Sequence, residues 1–255
     1  MKKTNILLTY LFSFTFIIFS LLFVVHICSF DTNFYTKEHN KLKLFGKSIS
    51  EHIGISDDDL NNLTIFTLDY LNDKEESLDK KMIINGENRE VYTSYEKEHM
   101  VDVKKLNLNS IKIMYICLLL SFVSLLLILF KYKNFSIIFN SYKKTLLLFL
   151  VVFIFIGIWI LIDFDSFWTN FHHVFFSGND LWILDLRKDI LIMIVPPEFF
   201  NHLVTKIVIM FIFVIVLVYF IFKMLSKGKI NDTRSTIWAW NSSKHRKHYE
   251  NMHGF

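Results

Sequence analysis

Four uninterrupted apolar runs constrain this chain more than any other feature. Residues 5–27, 113–130, 145–162 and 207–222 each approach the length of roughly 20 residues that a helix needs to cross a hydrocarbon core about 30 Å thick. The fourth extends back to Leu203 if the Lys206 ammonium snorkels to the interface. None alternates like a barrel strand, and a helix satisfies its own backbone polar groups where no water is present. The expected fold is therefore an all-α integral membrane protein, with four transmembrane helices at 5–28, 109–130, 145–162 and 204–223. Composition agrees. The chain is 53% hydrophobic and carries 28 Phe against 7 Gly and 2 Pro, which excludes a loop-rich β fold and low complexity. A net charge of +4 is too mild to indicate nucleic acid. Two cysteines, Cys28 and Cys117, are too few for a disulfide framework and are expected as reduced, small apolar residues.

Sidedness follows from the Lys and Arg near the span ends. Lys2 and Lys3 precede the first span, the 131–144 loop has four Lys and no acid, and residues 223–255 have seven Lys or Arg against two acids. The two other segments differ, with 16 acids and 11 bases over 29–108, and six acids and two bases over 163–203. Both termini, the 131–144 loop and the basic 224–255 tail are thus expected in the cytoplasm. The 29–108 segment is expected as an extracytoplasmic cap, and 163–203 as an aromatic segment at the outer interface. The first span is too long for a signal-peptide core and lacks a small-residue cleavage site. Val25-His26-Ile27-Cys28 likewise lacks the small residue that a lipidation site would place before the cysteine.

The cap holds too many apolar residues to be a disordered linker. Ser56 or Asp57 can cap a helix that carries Leu60, Leu63, Phe66, Leu68, Tyr70 and Leu71. Asn85-Gly86, between two β-rich runs over 82–93, predicts a minor β-hairpin. Residues 94–111 read as helix leading into the second span, with Met100, Val103 and Leu106 in one stripe. In the outer segment, a helix from Phe164 would put Phe164, Trp168, His172 and Phe175 or Phe176 on one face until Ser177-Gly178-Asn179 breaks it. So aromatic a stretch suits a horizontal helix in the interface.

Ten histidines are present, and position sorts them. His245, His248 and His253 lie in the solvated tail, without the partners a metal site needs. His26 ends the first span, His202 precedes the fourth, and His39 and His52 are expected to be exposed in the cap. His99 and His172 can both reach the outer membrane boundary from neighbouring helices. Asp102, three residues after His99, can hold its imidazole tautomer. Aromatic surroundings would keep the imidazole of His172 neutral. Two structural interface histidines remain the plainer alternative. Asp189 either joins a polar network under the cap or caps the short apolar run that follows it. The sequence contains no HExxH, GxSxG, CxxC or P-loop motif, so no metal or cofactor is implied. The spans hold no Asp, Glu or Arg to mark an ion path. What remains is histidine acid–base chemistry on a lipid-like substrate.

Three blocks in order carry a resemblance: EKEHMVDVK at 96–104, FWTNFHHVFFSGNDLW at 167–182 and DILIMIVPPEFF at 189–200. Looser matches are NFYTKEHNKL at 33–42 and DLNNLTIFTLDYL at 59–71. With the four-span layout, the chain resembles the lipoprotein intramolecular transacylases of Gram-positive bacteria. The resemblance implies transfer of the sn-2 acyl chain of a diacylglyceryl-Cys lipoprotein to the α-amine of the same cysteine. The chain is expected as a monomer in the bacterial cytoplasmic membrane, in contact with membrane lipids and with the lipoprotein substrate that the resemblance implies. By motif match His99 and His172 are the catalytic pair, and His173 occupies a variable position. Absence of a protein nucleophile fits, because the substrate amine attacks. His99, oriented by Asp102, is expected as base and His172 as acid, with oxyanion donors from backbone N–H groups around 177–179. Trp168, Phe171, Phe175, Phe176 and Trp182 are expected as pocket walls or core. The competing readings are a non-enzymatic membrane protein with a binding or sensing cap, and a phospholipid transferase or hydrolase using the same histidines.

Overall fold

The computed structural model describes the backbone of residues 3–132 and 135–253, and the side chains of 6–131 and 135–227. In chain order the elements are α1 (Lys3–Ser29), α2 (Thr32–Lys41), β1 (Lys43–Leu44), β2 (Lys47–Ser48), α3 (Ile49–Ile53) and α4 (Asp57–Leu71). There follow β3 (Lys81–Ile84), β4 (Glu87–Glu90), α5 (Ser94–Tyr132), α6 (Phe135–Ile162), α7 (Phe164–Phe175), α8 (Ile190–Ile194) and α9 (Pro197–His253). The helices long and apolar enough to cross a membrane are α1, α5, α6 and α9. At 1.5 Å per residue, the 39 residues of α5 measure about 58 Å, twice the hydrocarbon thickness. Only its apolar second half is needed to span. The first half carries Glu96, Lys97, Glu98, Asp102, Lys104 and Lys105 and continues beyond the membrane. The side chains of the basic tail, including Trp238, Trp240 and three histidines, lie outside the described residues.

The described chain divides into two compact units. The first draws on residues 1–18, 117–151 and 213–255. Phe12, Ile128 and Ile138 form its fully buried centre, with Phe16, Leu125 and Phe222 packed around them. Residues 135–144, expected as a connecting loop, are instead the opening turns of α6. Their i, i+3, i+4, i+7 positions, Ile138, Ser141, Tyr142 and Thr145, are all buried. Small hydroxyl residues tie the helices where apolar surface gives no selective attraction in lipid. The Ser141 hydroxyl donates to Thr9 Oγ1 at 2.7 Å, and the Tyr142 hydroxyl donates to the Ile215 carbonyl at 3.1 Å.

The second unit, residues 19–116 and 152–212, holds the polar elements. The hairpin is present as β3 and β4 around Asn85-Gly86, with Ile84 opposite Glu87. A shorter ribbon, β1 with β2, turns through Phe45-Gly46 and lacks any alternating pattern to announce it. Ser56 is the residue that caps α4, accepting from the Asp59 N–H at 3.0 Å. Leu60, Leu63, Ile49, Ile53, Tyr92 and Met100 are buried here, and the Tyr92 hydroxyl pairs with Thr67 Oγ1 at 2.6 Å.

Thr93 and Glu96 open α5 as a capping box. The Glu96 N–H donates to Thr93 Oγ1 at 3.2 Å, and the Thr93 N–H donates to Glu96 Oε2 at 2.7 Å. Glu96 is 1% exposed, and its other oxygen accepts the Leu191 N–H at 2.8 Å. One carboxylate therefore joins the start of α5 to the start of α8, 95 residues later. Glu96→Gln puts a donor where an N–H already points. It should cost about 1–3 kcal/mol of stability, read as a lower Tm in detergent, while Glu98→Gln on the exposed face leaves Tm unchanged.

Candidate active site

His99 lies one helical turn after Glu96, so the box that starts α5 also sets its direction. Opposite it stands α7. Asp163 caps that helix, its Oδ1 accepting the Ser166 N–H at 2.9 Å. From there Phe164, Trp168 and His172 follow at i, i+4, i+8 along one face. Phe164 and Trp168 stack at 5.8 Å, and Trp168 and Phe171 stack at 5.4 Å.

The imidazoles of His99 and His172 lie with ring centroids 6.3 Å apart and planes 31° from parallel. Each residue is 7% exposed. Phe176 touches both rings, at 5.3 Å from His99 and 5.5 Å from His172. Trp182 stacks on His172 at 4.9 Å, and Trp168 meets it edge-on at 4.8 Å. Of the adjacent pair it is His172 that faces His99. His173 is exposed and stands edge-on to Trp182 at 5.3 Å. Phe171 packs against His172 at 5.6 Å. Phe175 is 51% exposed and packs only on Phe171 among the rings of this cluster, so it borders the pocket rather than lining it.

His172 Nδ1 lies 2.8 Å from the Trp168 carbonyl oxygen. A carbonyl only accepts, so Nδ1 carries the proton and the lone pair sits on Nε2. Burial pushes the His172 imidazole below its ordinary pKa, the Trp168 carbonyl pulls the other way, and the His173 charge lowers it further. The His99 imidazole falls to about 4, first from burial and then from the nearby charge of His172, with Asp102 acting weakly upward. Both rings are neutral at pH 7.

Asp102 does not orient His99. Its Oδ2 accepts from the Asn179 amide at 3.0 Å and its Oδ1 from Lys105 at 3.2 Å, and these bonds hold its carboxyl below the usual carboxylate range. Nδ1 of His99 is buried without a hydrogen-bond partner. The amide across from Asp102 outcompetes the imidazole three residues back on the same helix. Asp189 occupies the N-cap position of α8 but makes no side-chain cap bond there. Its Oδ2 accepts the Asp185 N–H at 2.7 Å, and Glu96 takes the Leu191 N–H in its place.

Sequence reasoning overlooked Glu96, Tyr95 and Asn179, which fasten the 179–191 segment to α5. The Tyr95 hydroxyl donates to the Asp180 carbonyl at 2.6 Å. The Thr-x-x-Glu spacing was a legible signal for Glu96, whereas its partner at Leu191 left none. His39, expected to be exposed, is 4% exposed and bonds through Nε2 to the Ile194 carbonyl at 2.9 Å. His202 lies inside α9, paired through Nδ1 with Glu38 at 2.5 Å. Among the described residues no three or more His, Cys, Asp or Glu converge as a metal site.

Two neutral imidazoles thus share one buried aromatic pocket in a multi-pass helical membrane protein. The family model described as lipoprotein intramolecular transacylase Lit matches residues 10–200. The chain belongs to that family, and it is an acyltransferase. No curated protein sequence matches it. The solved membrane integral lipoprotein intramolecular transacylase Lit from Bacillus cereus has the same fold. It superposes with a TM-score of 0.72 at 20% identity, over 90% of this chain and 99% of that one. A variant of that protein with one histidine changed to alanine gives 0.70 at 20% identity, over 89% and 95%. Its counterpart with arginine at the same place gives 0.69 at 19% identity, over 90% and 95%.

The depressed histidines make a pH prediction. The unfolded chain takes up protons near pH 6.5 that the native pocket refuses until about pH 4. Native stability from His99 is thus complete above pH 6.5 and lost as pH falls toward 4. Unfolding midpoints measured across that window should fall with acidification, and His99→Phe should flatten the slope.

Proposed function

We propose that the protein moves the acyl chain of a diacylated bacterial lipoprotein from the sn-2 ester to the α-amine of the same N-terminal cysteine. The product is an N-acyl, S-monoacylglyceryl lipoprotein. The observation that carries this reading is the pairing of His99 with His172 inside a water-poor aromatic pocket. The amine nitrogen attacks the ester carbon and a C–N bond forms. The carbonyl electrons move onto oxygen, and then the C–O bond to glycerol breaks. One proton leaves nitrogen and one reaches the glycerol oxygen, so nothing enters from outside.

His172 serves as the base. Its Nδ1–H bond to the Trp168 carbonyl leaves the lone pair on Nε2 and stabilises the imidazolium that forms. The proton that His172 takes passes to His99, the less basic ring, which delivers it to the leaving oxygen, so both rings end neutral as they began. This division reverses the roles expected from the sequence, because the carboxylate meant to support His99 is engaged with Asn179. Each proton transfer contributes roughly 10²–10⁴ in rate. Orienting one flexible substrate so that amine and ester meet contributes several kcal/mol more. Trp168, Phe171, Phe176 and Trp182 supply the rigid walls for that task. The Lys and Arg distribution supports placing this pocket on the outer side, with both termini cytoplasmic. The working unit is one chain with its lipoprotein in a lipid bilayer.

The test is mass spectrometry of a synthetic diacylated lipopeptide after incubation with the purified protein. Loss of the free α-amine at unchanged mass is the expected result. Loss of one acyl mass would make the protein a hydrolase, and an untouched substrate would make it a binding or sensing protein. His99→Ala and His172→Ala should each lower turnover by about 10²-fold or more, while His173→Ala stays close to wild type.

A further inference from the structure

Resting on that reading, we propose that the indole N–H of Trp182 is the hydrogen-bond donor that stabilises the oxyanion of the tetrahedral intermediate. Four buried side-chain atoms among the described residues have no hydrogen-bond partner: Nδ1 of His26, His39 and His99, and Nε1 of Trp182. The imidazole nitrogens can each be bare acceptors in a suitable tautomer, and His39 already bonds through Nε2. The indole N–H has no such option, because it only donates. It is the one obligate donor of the four that is left unmet, and it lies beside the base.

An indole used merely as a wall would have no reason to hide an unmet donor, which bears the full desolvation cost of that group. Trp182 stacks on His172 at 4.9 Å with 29° between planes. The N–H lies in the indole plane and the Nε2 lone pair lies in the imidazole plane. Neighbouring, near-parallel layers thus offer an acceptor for the attacking amine and a donor for the carbonyl oxygen one bond away from the carbon it attacks. Three other polar groups nearby are committed. The Tyr95 hydroxyl is held by Asp180, the Asn179 amide by Asp102, and the Asn179 N–H by the Phe176 carbonyl. His99 cannot serve both the oxyanion and the leaving oxygen with one proton. Nε1 is closed to water at rest, so the incoming ester displaces a covering side chain to reach it. Once engaged, the bond acts in a dry setting where such donors are most effective.

The decisive variant replaces Trp182 by benzothienylalanine, which keeps the bicyclic shape and stacking but puts sulfur in place of the N–H. With a synthetic diacylated lipopeptide, turnover should fall by about 10²–10³-fold while KM stays within a few-fold, and Tm should match wild type. Trp182→Phe should lose turnover at least as strongly. Turnover by the benzothienyl enzyme within about threefold of wild type would overturn the proposal, whatever the Phe variant does. In that event His99→Ala and His172→Ala, run alongside, show whether the acid–base pair still stands. A wild-type protein that leaves the lipopeptide intact or releases free fatty acid would instead sink the transacylase reading itself.

Discussion

The Glu96 carboxylate ends its reach on three donors drawn from two distant stretches of chain. The Thr93 N–H and hydroxyl lie behind it, and the Leu191 N–H lies across from it. Each bond alone is ordinary. Together they fix where α5 begins, which way its first exposed-to-buried face points, and how closely the 179–191 segment approaches. Tyr95 and Asp102 add a bond on either side, to Asp180 and Asn179. Trp182 sits within the segment so fastened, and Trp182 is the ring stacked on His172. Polar bonds that involve neither histidine therefore fasten to α5 the segment whose Trp182 stacks on His172. A buried carboxylate is costly unless every oxygen is used, and here every oxygen is.

Apolar rings then decide what the histidines can do. A carboxylate bonded to His99 would have raised its basicity and anchored a charge in the pocket. With Asp102 turned to Asn179, burial wins, and the ring of His99 is hard to protonate at rest. A weakly basic imidazole is a strong acid in the instant it holds a proton. His172, next to a carbonyl, keeps more of its basicity. The pocket thus gives two identical side chains different basicity through one backbone oxygen and one missing partner, and the proposed division of acid and base rests on that difference.

The four spans, the Ser56 cap, the hairpin at Asn85-Gly86 and the α7 face were legible because each is a local pattern: apolar length, a capping residue, a turn dipeptide, an i, i+4 repeat. The same spacing put His172 on that face with Phe164 and Trp168, whereas its choice over His173 as a site residue came from the family motif. Asp102 misled because spacing reports which side chains can meet, not which of two partners prevails. His39 looked exposed because its neighbours are polar. Its burial comes from Ile194 and Phe199, more than 150 residues away. Residues 135–144 looked like a loop because four lysines in the 131–144 stretch masked the buried stripe of Ile138, Ser141, Tyr142 and Thr145. In each miss a long-range contact overrode a local cue.

The same dryness bears on the substrate of the proposed transfer. A free α-amine, with a pKa near 7.7–8.0, is mostly charged at neutral pH and cannot attack while protonated. Moving it from water into an aromatic pocket disfavours the charged form by the same desolvation that lowers both histidines. The walls that suppress the imidazolium at rest therefore also help to unmask the nucleophile. Because amine and ester belong to one molecule, binding the acyl chains already delivers the amine, and no second substrate has to be held in a charged site. A pocket lined with Trp and Phe, with most of its nearby polar atoms already bonded within the protein, therefore suits the proposed reaction, which in water would stall on a protonated amine.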